Sequence, residues 1–347
     1  MTAFLILFGA FTAIYPDIQG VYMTPKMVCI ASGASWGLWA APPSLEPPLR
    51  RGFLLVIICA LLSSVLSDSP IYSLAGHANG FSGGFVGILL TWLCYEAAWA
   101  QGPGKDSERF VAAGAALTAL AALSQVALGW PAVGPLPGGR AYGLIGSPPF
   151  LGCMLALAAP VVWRRGWMLH MLLAAGVAFA QSRAGFIGYV AACAVYLLGP
   201  QRAVAGAAVA LILGLAFGPQ RLGGDDMRIQ TWATAARVIE ARPWLGWGID
   251  GFADAFMRLR DPLRWGYRSL YGVESAHMFF LDAATAGGLL GLASVGFLGY
   301  QAARRPAPRA LLGALAGVMA YGFFNPIPFP AFCVLAYLWG EHDASNP

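Results

Sequence analysis

His277 and a set of arginines are the residues in this chain best suited to chemistry. His277 stands in Glu-Ser-Ala-His-Met-Phe-Phe-Leu-Asp (274–282), where a polar segment turns into an apolar run. A histidine desolvated by such neighbours changes protonation near neutral pH, which suits a general base. Arg183 sits in Ala-Phe-Ala-Gln-Ser-Arg-Ala-Gly-Phe-Ile-Gly (178–188), inside a stretch whose other strongly polar side chains are His170, Gln181 and Ser182. An arginine in an apolar span costs several kcal/mol, so it has a partner or a task. Arg228 and Trp232 share one helical stripe, and Arg140 lies in the glycine-rich Gly-Gly-Arg-Ala-Tyr-Gly-Leu-Ile-Gly-Ser-Pro-Pro (138–149) with Tyr142. Arginines without a metal neutralise a departing diphosphate as preorganised donors in a dry site. The lone acidic pair Asp225-Asp226 makes a poor metal site, so no metal and no cofactor are expected.

What holds these residues must be a membrane domain. Of 347 residues, 58% are hydrophobic and 11% charged, and mean hydropathy is +0.65. Soluble domains carry about 25% charged residues. The expectation is therefore an all-α polytopic membrane protein, read as one domain over 1–347. The six cysteines fall in apolar spans without a CxxC or Cys/His cluster, which argues against zinc and a disulfide framework. The net charge of +5 is nearly all arginine, with Lys26 and Lys105 the only lysines. Arginine prefers bidentate contact with phosphate or carboxylate, so an anionic ligand fits. The N-terminus lacks a basic n-region and cleavage site, and reads as a retained span.

About 20 apolar residues cross a bilayer. Twelve candidate spans follow: 2–15, 23–41, 52–67, 81–101, 109–129, 147–163, 167–181, 184–199, 203–218, 276–300, 308–324 and 329–340. The basic loops Arg50/Arg51, Lys105/Arg109, Arg164/Arg165, Arg202 and Arg304/Arg305/Arg309 all fall on one side if both termini are cytoplasmic. Between Arg165 and Arg202 the chain then crosses twice, turning at Gln181-Ser182-Arg183. Each crossing of about 15 residues is roughly 23 Å long, against hydrocarbon about 30 Å thick. Arg183 would lie at the bottom of an outward-facing dip. The large loop 218–276 falls on the outer side, with eight arginines against seven acids. Asp225/Asp226 cap a predicted helix over Met227–Ala241, ended by Pro243, with Arg228, Trp232, Ala235 and Ile239 on one stripe.

In order, spacing and topology, these motifs resemble the O-antigen ligase/O-antigen polymerase superfamily, membrane glycosyltransferases of the GT-C type. Ser182-Arg183-Ala-Gly resembles its Ser-Arg-Gly motif. Arg228-x-x-x-Trp232 with Pro243-Trp-Leu-Gly-Trp-Gly-Ile-Asp-Gly-Phe252 resembles its Arg-x-x-x-Trp…Pro-x-x-Gly-x-Gly element. His277 through Gly287-Gly288-Leu-Leu-Gly291 resembles its His-Asn…Glu-x-Gly-x-x-Gly helix. Met278, Ala286 and Pro149 stand where the family usually has Asn, Glu and Asn. The likeness covers about residues 138–295; the first five spans resemble the family only in hydrophobicity.

The resemblance implies an undecaprenyl-diphosphate-linked glycan as donor and an inverting, metal-independent transfer at the periplasmic face of the bacterial inner membrane. The acceptor is a glycan or lipid A–core; membrane lipids are partners and nucleic acid is not. In this reading Arg183 and Arg228 hold the diphosphate and His277 deprotonates the acceptor. Arg140, Tyr142, Ser182, Trp232, Arg264 and Arg268 line the substrate path. Two alternatives are a protein (pilin) O-oligosaccharyltransferase of the same superfamily and a twelve-span transporter or flippase. A carrier would put ionisable residues near the midplane of several spans, where Glu96 is the clearest acid here.

Overall fold

The computed structural model describes residues 1–14, 22–41, 47–76, 82–129, 139–199, 224–261 and 273–346, and among these every regular element is helical. The chain opens with a π-helical turn, Phe4–Phe8, continued by α1 (Gly9–Thr12). There follow α2 (Met23–Ala40), α3 (Arg50–Val65), α4 (Pro70–Ala75), α5 (Gly84–Gln101), α6 (Ser107–Leu128) and α7 (Pro148–Val161). Next come α8 (Trp167–Ala180), α9 (Arg183–Leu198), α10 (Gly224–Ala241) and α11 (Phe252–Leu259). The chain closes with α12 (Phe279–Ala303), α13 (Arg309–Gly322) and α14 (Phe329–Ser345). Helices thus occupy the predicted apolar stretches except 203–218, which lies outside the described residues, as do His77, Arg202, Arg221, Arg264 and Arg268.

The chain wears its apolar residues outward as well as inward. Leu54, Leu55, Ile58, Leu61 and Leu62 of α3, and Leu117, Leu120 and Leu123 of α6, are all exposed. Such continuous apolar surface suits lipid rather than water. By length and composition, α6 and α12 are sufficient to cross a membrane, and α7, α8, α9 and α13 are shorter apolar helices. This is the form of a helical membrane protein.

Small residues let the helices around the site touch. A Cβ added at Gly152 of α7 would stand 2.6 Å from Gly185 Cα of α9. On the other flank of α9, a Cβ at Gly188 would meet the Gly317 carbonyl of α13 at 2.7 Å. Close backbone crossing of this kind is how helices associate where no hydrophobic drive operates.

Hydrogen bonds sort the helix ends into two groups. At one end Arg50 pairs with Glu96, Arg165 with Glu108, Arg305 with Asp343, and Gly104 N–H donates to Glu341. At the other, Asp68 pairs with Arg242 and Arg258, Ser82 donates to Asp250, and Gln125 bridges Tyr142 and Gly143. The segment holding α10 and α11 has a small core of its own: Ala235, Val238, Trp247, Phe252, Ala255, Phe256 and Ala276.

The α10 expectation needs one adjustment. The helix begins at Gly224, so Asp225 and Asp226 fall within its first turn and not ahead of it. Its buried face is Thr231, Thr234, Ala235 and Val238, with Arg228, Trp232 and Ile239 half-buried at the edge of that face.

Candidate active site

The turn between α8 and α9 is built as its sequence predicts. α8 ends at Ala180, Gln181 takes a left-handed conformation (φ 46°), and Ser182 is extended. Ser182 Oγ accepts from Gly185 N–H at 3.2 Å and so caps α9, whose first residue is Arg183. A guanidinium at the positive end of a helix is electrostatically unfavourable unless an anion joins it. Arg140 Nε donates to Ala180 O at 3.0 Å, and Ala141 N–H donates to Phe179 O at 3.0 Å. These bonds fasten the 139–142 segment to the turn that carries Arg183. Tyr142 is turned into the bundle: it is 3% exposed and lies edge-on to Tyr22 with ring centroids 5.8 Å apart.

Opposite lies the segment leading into α12. Trp232 Nε1 donates to Ala276 O at 3.0 Å, which brings the Arg228 stripe of α10 against His277. His277 adopts φ 56°, a left-handed conformation unusual for a residue with a Cβ. Its N–H donates to Ser275 Oγ at 2.9 Å, and Ser275 Oγ in turn reaches both Asp282 oxygens at 3.0 and 2.9 Å. Burial, and then the positive charge of Arg228, hold the imidazole below its ordinary pKa. His277 is therefore neutral at neutral pH, the form that accepts a proton.

Tyr321, near the end of α13, is fully buried. Its hydroxyl has no hydrogen-bond partner among the described residues, and the charges of both Arg228 and Arg140 reach it. The charge of Arg228 thus acts on both Tyr321 and His277 and that of Arg140 on Tyr321, while Arg183 lies on the turn to which Arg140 is bonded. Tyr321 escaped the sequence reading because a tyrosine near a span end is ordinary interface composition.

The glycine-rich motif after α10 has a structural task. Trp247 N–H donates to Thr285 O at 2.9 Å and Gly248 N–H to Ala286 O at 3.0 Å. In return, Leu289 N–H donates to Pro243 O at 2.7 Å and Leu290 N–H to Trp244 O at 3.2 Å. α12 is broken at Gly288 (φ 62°, ψ −162°), and the loop supplies the hydrogen bonds the break removes. A Cβ at Gly288 would stand 2.3 Å from the Trp244 carbonyl carbon. Ala286, where the resemblance leads to expect Glu, contributes its carbonyl, which also accepts from Ser63 Oγ at 2.5 Å. Met278, in the usual Asn position, is the N-cap of α12 and makes no side-chain capping bond.

Two loop arginines are committed to this scaffold. Arg242 and Arg258 lie over Trp247, 4.0 and 5.9 Å from a ring centroid, and both pair with Asp68. The bond from Arg242 chiefly holds the Asp68 carboxyl below the usual carboxylate range. Beside the loop runs a cavity of ≈ 240 Å³ walled by Phe53, Phe279, Phe329 and Phe332 and reached by Asp250 and Asp282. It adjoins the His277 segment through Glu274 and Phe279, and the cationic residues do not line it.

Comparison with protein-family models matches residues 168–296 to the family described as O-antigen ligase. That segment runs from α8 into α12 and contains Arg183, Arg228 and His277. The match supports the O-antigen ligase/polymerase superfamily, a family of membrane proteins with glycosyltransferase-type activity on glycan or lipid-linked substrates. A search of curated proteins finds no match to the chain.

Proposed function

We propose, from the match of residues 168–296 to the O-antigen ligase family model, that this chain is an inverting, metal-independent glycosyltransferase. It moves a glycan from undecaprenyl diphosphate to an acceptor sugar hydroxyl at the periplasmic face of a bacterial inner membrane. The twelve-span arrangement, with both termini cytoplasmic and the 218–276 loop outside, is part of the same proposal. So is the choice of acceptor, lipid A–core or the growing glycan.

The observation that carries this reading is the Trp232–Ala276 bond, which sets the Arg228 stripe of α10 against a half-buried His277 whose protonation desolvation and the Arg228 charge oppose. In the proposed step His277 takes the proton from the acceptor hydroxyl, and the acceptor oxygen attacks the anomeric carbon of the donor. The bond from that carbon to the phosphate oxygen breaks with inversion, and undecaprenyl diphosphate leaves with the electron pair. Arg228 and Arg183 meet the negative charge that develops there, and Arg140 supports them from the 139–142 segment. The donor also prepares the base. A diphosphate against Arg228 offsets the positive charge that depresses the imidazole, so His277 becomes a stronger base once the donor is bound. Ser182 holds the Arg183 turn, and Trp232 keeps Arg228 against the His277 segment.

The test is transfer by purified protein, supplied with lipid-diphosphate-linked glycan and acceptor in vesicles without an ion gradient. Product formation is expected, as for a transferase and unlike a carrier. His277→Ala is expected to abolish it while the protein still inserts normally. Wild-type rates from His277→Ala would remove the base from the mechanism. In cells, loss of a polymerase leaves single repeat units on the lipid, whereas loss of a ligase leaves none. Transfer to a pilin alone would turn the assignment to the protein-modifying branch.

A further inference from the structure

We propose that Ser275 and Asp282 are positioning residues that lock the His277 imidazole in place; this rests on His277 being the base. The backbone at His277 is the unusual feature, since a left-handed conformation at a residue with a Cβ costs of order 1 kcal/mol or more and persists only where its surroundings over-determine it. Three donors do so here, the Ser275 hydroxyl shared between both Asp282 oxygens. Ala276 N–H donates to Asp282 Oδ1 at 2.6 Å, Ser275 Oγ reaches Asp282 Oδ1 and Oδ2, and His277 N–H donates to Ser275 Oγ. Ser275 is 3% exposed, so this chain of bonds is protected from water.

Asp282 does not behave as a helix cap. It lies in the first turn of α12, where a carboxylate ordinarily faces the helix's own N–H groups. Its oxygens instead reach back past the N-cap, Met278, to residues 275 and 276. Bonds that could steady the helix are spent on the short segment ahead of it. On the far side of that segment Trp232 binds Ala276 O. The peptide before His277 is thus held from α12 by Asp282 and from α10 by Trp232. The backbone that carries the imidazole is held by residues of two helices.

The experiment measures transfer by purified Ser275→Ala, Ser275→Thr and Asp282→Ala proteins over a range of pH. Ser275→Ala and Asp282→Ala are expected to lower kcat by about ten- to hundredfold, with KM for the donor unchanged. The acid limb of their pH profiles is expected to rise toward the ordinary imidazole value, because a released ring leaves its buried place beside Arg228. Ser275→Thr keeps the hydroxyl and is expected to retain most of the rate. A Ser275→Ala enzyme with wild-type kcat and acid limb overturns the proposal, as does Ser275→Thr failing as badly as Ser275→Ala. His277→Ala is run alongside. If it is inactive while the Ser275 and Asp282 variants are normal, only the lock falls; if it is fully active, the base assignment falls first.

Discussion

The two ends of this bundle set their arginines in different surroundings. At the end carrying the basic loops they meet carboxylates. Arg50 makes a two-pronged contact with Glu96 at 2.9 and 2.6 Å, and Trp92 Nε1 donates to the same carboxylate at 2.9 Å. Arg305 binds Asp343, whose other oxygen accepts from Tyr95 OH at 2.7 Å. At the opposite end Arg140 donates to a backbone carbonyl, and the charge of Arg228 acts on an imidazole and a phenol. Charge matched by a fixed acid holds helices together. Under the proposed function, the Arg228 charge that acts on His277 and Tyr321 meets an anion that arrives and departs. Arg242 and Arg258, tied to Asp68, show that the rule follows the local partner and not the side of the bundle.

The contrast is broken most severely on the structural side. Glu96 is 3% exposed, and Glu96→Ala leaves Arg50 half-buried without its carboxylate. A loss of about 3 kcal/mol is expected, read as lower yield and melting temperature. The enzyme that does fold should turn over normally. Arg228→Ala is expected to do the reverse. It removes a charge-assisted contact worth about 2–4 kcal/mol, so transfer falls roughly 30- to 1000-fold, while the melting temperature stays near wild type. Equal losses of stability and activity in both variants would erase the distinction.

A smaller effect concerns pH. Burial and Arg228 lower the His277 pKa, so the proton-accepting form persists on acidification below the ordinary imidazole value of about 6.5. Activity of the free enzyme, measured as kcat/KM, is expected to fall only below that value. Arg228→Gln keeps a polar group but removes the charge, so its acid limb should move upward. An unchanged limb would mean that Arg228 does not tune the base. The smallest expected change is Asp68→Asn. Its pairs with Arg242 and Arg258 lie near the surface, where such contacts contribute about 0.2–1 kcal/mol each. A slight drop in melting temperature with transfer intact is the expected outcome.

Much of the membrane scaffold was legible in the chain. The two short helices meeting at Gln181-Ser182-Arg183 followed from charge bookkeeping on the flanking loops, and α8 and α9 turn there. α10 was read as Met227–Ala241 from Asp225/Asp226 and Pro243, and it runs Gly224–Ala241. The break in α12 was not legible. Gly287-Gly288 inside an apolar run reads as an uninterrupted span, because the hydrogen bonds that repair the break join it to Pro243–Gly248, 38 or 46 residues away along the chain. Asp282 was likewise only the last letter of a motif, and Tyr321 one aromatic among many.

Local composition alone therefore dictated that this chain is helical and apolar, and which short stretches carry its guanidiniums and imidazole. Periodicity and the energetic penalty on charge in hydrocarbon act over a few turns, so they leave their mark in the sequence itself. Which arginine meets an acid and which meets a base, and how His277 is turned and held, depended on side chains distant along the chain. Those choices rest on electrostatics and hydrogen bonding over a few ångströms, and only the packed helices bring such groups that near.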